Sequence, residues 1–438
     1  MRYRILIIIT ALLLPGIFAR AQTVQKLGLD EAIRLGLKNS KQLQMNQAKI
    51  KEASGRLSEM KNNRLPDLKV SGSYLQMANP KVDLQLGSSP QSASLLSNVK
   101  VDHVVYGLAS ASVPLFSGFR IKYGVEAQKY LLKATMLDAA TDSQAVIQNI
   151  VSAYCNLYKA GQSVAVIGES LGQSQKRVQD FKAFEKNGTM IHNDVLKAQL
   201  QESNIRLSLL DAQNNMDIAT VNMDLMLGLP EDTQLETDSS SLQYPADAGS
   251  MDSWESKAIQ NRNDIAAMQA REDAANGNIK AIKGEYYPSL ALTGNYIAAD
   301  IHKLLTVTNA LAGGIGLQYN IGSLWKTKAK ITQAEARKEQ AVIGERMLSD
   351  AIRLQAHQAY KNYLLSIQKI AVYADALNEA KENYRVTQSK YDNKVATTQE
   401  LLDADIEQLH ARLNYAFSKA DAMAAYKKLL EVSGTLYQ

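Results

Sequence analysis

The chain of 438 residues holds one cysteine, Cys155. A lone thiol builds no disulfide framework within a chain. Its helical, apolar surroundings read as those of a buried thiol rather than a nucleophile. Proline is scarce and unevenly placed. None lies between Pro114 and Pro230, and none follows Pro288. Proline costs about 3 kcal/mol inside a helix, so these two tracts can run as long helices. Beyond the N-terminus no apolar run reaches the about 20 residues of a membrane-spanning helix. There is no phosphate-binding glycine loop and no G-x-S-x-G elbow. The five histidines (His103, His192, His302, His357 and His410) never fall at metal-ligand spacing, and read as scattered surface residues. With these absences the expectation is a protein that is not an enzyme and uses no metal or cofactor.

Residues 1–21 read as a secretory signal. Arg2 and Arg4 make the charged start, Ile5 to Leu14 the apolar run, and Ala19-Arg20-Ala21 the cleavage site. The formal net charge of +5 falls once this segment and its three arginines leave. What remains is not the clustered basic footprint of a nucleic-acid binder. The residue directly after Ala21 is Gln22 and not a cysteine, so the expected mature N-terminus is not lipidated.

What is present is a duplication. Leu29–Tyr74 aligns without a gap to Met251–Tyr296, matching Asn39 with Asn261, Gly55 with Gly277, Pro66 with Pro288 and Gly72 with Gly294. A second block, at another constant offset, matches Ala153-Tyr154 with Ala359-Tyr360, Asn187 with Asn393, Ala198 with Ala404 and Gly228 with Gly434. A period this long is one architectural unit used twice, not a short-repeat solenoid. The expected organisation is a first repeat over 22–230, a polar linker over 231–252 and a second repeat over 253–438.

Each repeat reads helix, strand, loop, strand, long helix, turn, helix. Phe119 to Glu185 as one helix would be roughly 100 Å long, a length that belongs to a coiled coil, bundle or tubular assembly. The long helices break at Asn187-Gly188-Thr189 and Asn393-Lys394-Val395, since Asn and Gly end helices at positive φ. Pro66–Tyr74 alternates, with Leu68, Val70 and Tyr74 against Lys69, Ser71 and Ser73. Pro288–Tyr296, Val105–Leu115 and Leu311–Ile321 behave similarly. Short alternating strands with aromatic ends in a secreted chain are the signature of an outer-membrane barrel. The loops expected between them are Asn79–His103 and Ala299–Thr308. In lipid only a closed barrel satisfies its backbone, and four strands are too few, because single-chain barrels begin at about 8. Several copies must therefore share one barrel, and three would give twelve strands. The fold class is mainly α with transmembrane β.

One acidic set stands out. Glu400 and Asp403 follow the second break three residues apart, on one helix face. Asp194 matches Glu400 in the first repeat. From spacing alone, a first-turn carboxylate stabilised by the helix dipole is a better reading than a pore lining.

Together these residues resemble the outer-membrane efflux protein family, the TolC-like channels. The resemblance is carried by Leu29-Asp30-Glu31-Ala32-Ile33, the two strand-opening prolines, Val113-Pro114-Leu115-Phe116-Ser117-Gly118-Phe119-Arg120, the two helix breaks and Leu225-Met226-Leu227-Gly228-Leu229. It implies a homotrimer with a twelve-stranded barrel on an α-helical periplasmic tunnel. It also implies a passive export duct of a tripartite efflux or type I secretion system, with a periplasmic adaptor and an inner-membrane pump of RND or ABC type. Glu400 and Asp403 would line the periplasmic constriction, with Asp194 and Tyr391 tying the helices shut. Departures occur at Asn320-Ile321-Gly322-Ser323-Leu324-Trp325-Lys326, at Lys394 where the family usually has glycine, and at Ala396 where it often has arginine. The alternative from another class is a trimeric coiled-coil scaffold or adhesin without a pore.

Overall fold

The computed structural model describes residues 25–78, 101–302 and 305–436. The expected signal segment and most of the Asn79–His103 loop lie outside them. The elements are β1 (Gln25–Leu27), α1 (Leu29–Asn39), α2 (Lys41–Asn62), β2 (Asp67–Gln76), β3 (His103–Phe116), α3 (Arg120–Lys186) and α4 (His192–Leu227). There follow β4 (Leu235–Thr237), α5 (Met251–Asn261), α6 (Asn263–Lys283), β5 (Ser289–Ile301), β6 (Leu305–Gln318), α7 (Ser323–Asp392) and α8 (Thr398–Val432). Two helices, two strands, a long helix and a shorter one thus occur twice in the same order. The proline-free tracts are the long helices, 67 residues in α3 and 70 in α7.

The strands reach further than alternation suggested. β5 and β6 pair as far as Asp300 with Thr306 and Ile301 with Leu305, so most of the loop expected over Ala299–Thr308 is ladder. Backbone pairing continues there whatever the side-chain pattern. β6 stops at Gln318, short of Ile321, because Asn320 starts a turn whose side-chain oxygen accepts from the Gly322 N–H at 3.1 Å.

The chain divides into two compact units. One takes the described residues of 45–140 and 263–350, and holds a four-stranded antiparallel sheet in the order β2-β3-β5-β6. Directly opposed residues share a sheet face, so the register fixes the chemistry of each face. One face carries Leu68 and Val70, then Tyr296 opposite Leu311, Leu292 opposite Ile315 and Leu290 opposite Leu317. The other carries polar rows: Asp67, Ser112 and Thr293 in one, Lys69, Ser110 and Asn295 in the next. The apolar face is bare. Val70 is 87% exposed and Leu311 81%. Aromatic rings flank it. Tyr74 stacks on His103 at one end, and Phe116, Tyr123 and Tyr287 gather round Phe119 at the other.

The second unit takes the described residues of 1–44, 141–262 and 351–438 and holds the main core. Leu27, Leu29, Ile147, Ile150, Tyr154, Leu157, Met223 and Leu227 are buried there. Each such side chain contributes about 1.5–3 kcal/mol over leaving it in water. Gly36 of α1 has no room for a Cβ, which would meet Ile150, so α1 packs close against α3. Tyr154 is buried, and its hydroxyl donates to the Leu27 carbonyl at 2.9 Å and accepts from the Asp238 N–H at 3.0 Å. This ties the parallel pair β1–β4 to α3. Cys155 is buried as expected, and burial, together with Asp421 and against Lys159, pushes its thiol up to about 12. Among the described residues no helix is long and apolar enough to cross a membrane.

Tyr154→Phe keeps the packing and removes the hydroxyl, leaving a buried carbonyl underserved. It should cost about 1–3 kcal/mol, read as an earlier midpoint in the thermal loss of helical circular dichroism. An unchanged midpoint would show that the β1–β4 anchor does not depend on this hydroxyl.

Candidate functional site

The two helical turns are built alike from unlike residues. After α3, Gly188 takes φ 73° and its N–H donates to the Glu185 carbonyl, while the Thr189 N–H reaches back to Phe184 at 2.9 Å. After α7, Lys394 takes φ 63°; its N–H donates to Tyr391, and the Val395 N–H to Lys390 at 2.8 Å. Both are left-handed helix ends. The lysine therefore preserves the turn that glycine makes elsewhere, though a side chain in this region costs about 1–2 kcal/mol.

Thr397 then starts α8 with a capping box. Its hydroxyl accepts from the Glu400 N–H, and the Glu400 carboxylate accepts from the Thr397 N–H at 2.6 Å and from its hydroxyl at 2.9 Å. These backbone and side-chain bonds hold the Glu400 carboxyl below the usual range. Glu400 thus has a structural role at the helix start, and its side chain remains exposed. Asp403, one turn on, is also exposed and accepts from Gln399 at 2.7 Å. Asp194 is half-buried in the first turn of α4 and pairs with Lys197 at 3.3 Å. Tyr391 stacks on Phe181 with centroids 5.7 Å apart. Burial raises its hydroxyl and the charge of Asp194 adds to that, while a hydrogen bond with Thr398 opposes it. The charge of Asp194 therefore bears on Tyr391, whereas the carboxylates of Glu400 and Asp403 are engaged by residues of their own helix and its cap.

The strongest interaction here was not singled out from the sequence. Arg177 of α3 and Asp405 of α8 form an ion pair at 2.7 Å with side chains only 9% and 4% exposed. The Tyr384 hydroxyl of α7 accepts from the same guanidinium at 3.1 Å. Burial opposes the charge on Arg177, but the hydrogen bonds and charges of Asp405 and Tyr384 outweigh it, and its pKa lies above the ordinary value. Tyr384 also packs against the buried cluster of Val178, Phe181, Val195, Ala198 and Leu401. The signal was present. Asp405 falls in the apolar stripe of Leu401, Leu402 and Leu409, and Arg177 in that of Val178 and Phe181. A charge on a buried stripe requires a partner.

The histidines are not all scattered. His103 and His302 stack at 4.5 Å across neighbouring strands, a cross-strand meeting that spacing along the chain cannot reveal. His192 lies on Glu185 and His357 on Glu255. No group of three or more His, Cys, Asp or Glu residues able to hold a metal occurs among the described residues.

Removing one partner of a buried pair strands the other. Arg177→Ala and Asp405→Ala should each cost about 3–5 kcal/mol, visible as a large fall in melting temperature. The apolar double replacement Arg177→Met with Asp405→Leu should recover most of it. Equal loss in all three variants would refute the pairing as the cause. The capping carboxylate predicts a pH signature. The folded pKa of Glu400 is depressed, so its contribution is present above the ordinary carboxylate range and lost as pH falls through the folded value. The melting difference between the parent and Glu400→Gln should be largest near neutrality and vanish in acid. A difference independent of pH would count against the capping role.

Comparison with known proteins agrees with this architecture. The family model described as outer membrane efflux protein matches residues 32–229 and 254–435. Toxin and drug export protein A of Aggregatibacter actinomycetemcomitans is 24% identical over 337 residues, 75% of this chain and 72% of its own length. The cation efflux system protein CusC of Escherichia coli is 24% identical over 405 residues, 87% of this chain and 81% of its own. The solved Campylobacter jejuni CmeC outer membrane channel superposes with a TM-score of 0.76 at 16% identity, covering 94% of this chain and 86% of that one. The structural neighbours are channels rather than enzymes. With a family match over most of its length, this chain belongs to the outer membrane efflux protein family.

Proposed function

We propose that the protein is an internally duplicated protomer of a homotrimeric, passive export duct. Its strands would share a twelve-stranded barrel in the outer membrane and its helical hairpins a periplasmic tunnel. The carrying observation is the sheet, which among the described residues has four strands, one bare apolar face, one polar face, and outer strands β2 and β6 each paired on one side only. An open edge in lipid leaves backbone groups unsatisfied. Joining β6 of one copy to β2 of the next removes every edge, with the apolar face toward lipid and the polar rows toward the lumen. The flanking rings fit the two interfacial girdles of such barrels.

The leader over residues 1–21 would be cleaved, and the mature chain left without a lipid. Nothing in the chain hydrolyses a nucleotide by the motifs it carries, so the energy for export comes from a partner. An inner-membrane pump of RND or ABC type and a periplasmic adaptor fit that need. The names of the relatives, a toxin and drug exporter and a cation efflux protein, agree with this class of work.

Three copies would turn the exposed Glu400 and Asp403 into acidic rings at the tunnel tip, near Asp194 and Tyr391. Such rings concentrate cations and repel anions. Purified protein in detergent should have the mass of three chains and conduct ions in a planar bilayer. A stable monomer in plain buffer, or a trimer that conducts nothing, would defeat the duct reading. Glu400→Ala with Asp403→Ala should lower cation selectivity and weaken block by multivalent cations, most clearly at low salt, where screening is weak. Unchanged selectivity and block would leave Glu400 as a helix cap alone.

A further inference from the structure

Asp224, in the last turn of α4, is a buried carboxylate. It is 0% exposed, and among the described residues neither side-chain oxygen has a hydrogen-bond partner. Its backbone carbonyl takes the Gly228 and Leu229 N–H groups that close the helix, which does nothing for the side chain. The Asn39 amide reaches the same helix end but is spent on the Leu227 carbonyl at 2.5 Å. Burial pushes the Asp224 carboxyl up to about 6, and the charges of Asp232 and Glu231, just past the helix, add to that. A buried charge persists where it is paired. The fold itself requires no acid here. The offset that matches Gly228 with Gly434 puts Leu430 at this place in the second repeat.

The surroundings are acidic. A cavity of about 460 Å³ is lined by Asp217 and Thr220 of α4 and by Glu231, Asp232, Thr233 and Gln234 after it. Its lining holds three acids and no base. Asp224 follows Asp217 and Thr220 on the same helix face, at steps of three and four. The chemistry suits a cation. A metal ion lacks ligands, since no group of three or more His, Cys, Asp or Glu residues able to hold one occurs among the described residues. An ammonium needs only a carboxylate and further acceptors for its N–H groups. The chain supplies one close by. β1 runs parallel to β4, with Gln25 level with Leu235 and Leu27 with Thr237. Counting back along both strands sets Gln22 level with Asp232. Residues 22–24 lie outside the described residues, but three residues reach at most about 10 Å. Leu235, where the count begins, itself lines the cavity.

We propose that removal of the leader creates the ligand for this site: the α-ammonium of Gln22 pairs with Asp224, beside Asp232 and Glu231, and fastens the mature N-terminus to the end of α4. The uncleaved chain has an amide at that place and makes no such pair, so maturation completes the corner formed by β1, β4 and α4. This rests on cleavage after Ala21, as proposed above.

Chemical labelling of the α-amine tests it in the mature protein, extracted in detergent from the outer membrane. Mass spectrometry of the N-terminal peptide first reads where the chain begins. The protein is then acetylated with acetic anhydride near pH 8, about where a free α-amine titrates, once folded and once in denaturant. A carboxylate partner holds the amine in its unreactive ammonium form. The folded parent should label about tenfold more slowly than the denatured chain, or slower still, a factor that one unit of pKa supplies. Asp224→Leu, which places here the residue of the second repeat, should bring the folded rate up to the denatured one. Should that variant not fold, Glu231→Gln with Asp232→Asn changes two exposed side chains and should also speed labelling. A folded parent that labels as fast as the denatured chain overturns the inference, as does a slow rate that these variants leave unchanged. Both outcomes leave the leader reading standing. A Gln22 closed to pyroglutamate has no amine and overturns the inference alone. A chain that still carries residues 1–21 overturns the leader reading and the inference together.

Discussion

A peptide group that gives up water must find another partner, and this requirement organises the sheet. Among the described residues β3 and β5 are paired on both sides, while β2 and β6 each have one free side. In a water-soluble protein such edges are blunted by charge, proline or a covering helix. Here the strands carry Leu68, Val70, Leu311 and Ile315 bare on one face. Charge and proline are confined to strand ends or to the opposite, polar face. The sheet suits the proposed duct, in which copies of itself would complete the arc. Its surface chemistry, its strand count and the aromatic rings at both ends follow from that one requirement.

The helical turns answer a different demand. A sharp reversal between long helices needs one residue at positive φ and an N-cap for the returning helix. Gly188 and Lys394 meet the first need. Thr397 with Glu400 meets the second in one hairpin, whereas Ile191 offers no side-chain cap in the other. The hairpins are thus alike in backbone and unlike in the means of stabilisation. Acidic side chains that begin a helix are also the groups that would face a lumen, so one carboxylate can serve both roles without conflict. The buried Arg177–Asp405 pair differs from them. It joins α3 to α8, fixes a register, and adds less net stability than specificity.

Much of the fold was legible in the chain. Proline placement marked the tracts that hold α3 and α7, because proline excludes itself from helix interiors. Alternation found all four strands of the larger sheet. It misjudged their ends, since the ladder at Ala299–Ile301 and the turn at Asn320 are set by backbone pairing rather than by polarity. The candidate site was less legible. Glu400 was placed correctly on the first turn of α8, yet its capping bond depends on the Thr397 geometry. The family was visible in the spacing of motifs that are individually weak.

The sequence by itself determined the period of each segment, the positions of its breaks and the chemistry of each face, because these are local consequences of side-chain shape and polarity. Only the tertiary structure decided which faces meet. It brought Arg177 to Asp405 across 228 positions of chain and stacked His103 on His302. Such contacts depend on helix rotation and strand register, which arise from packing the whole chain at once and leave no mark on the spacing of residues along it.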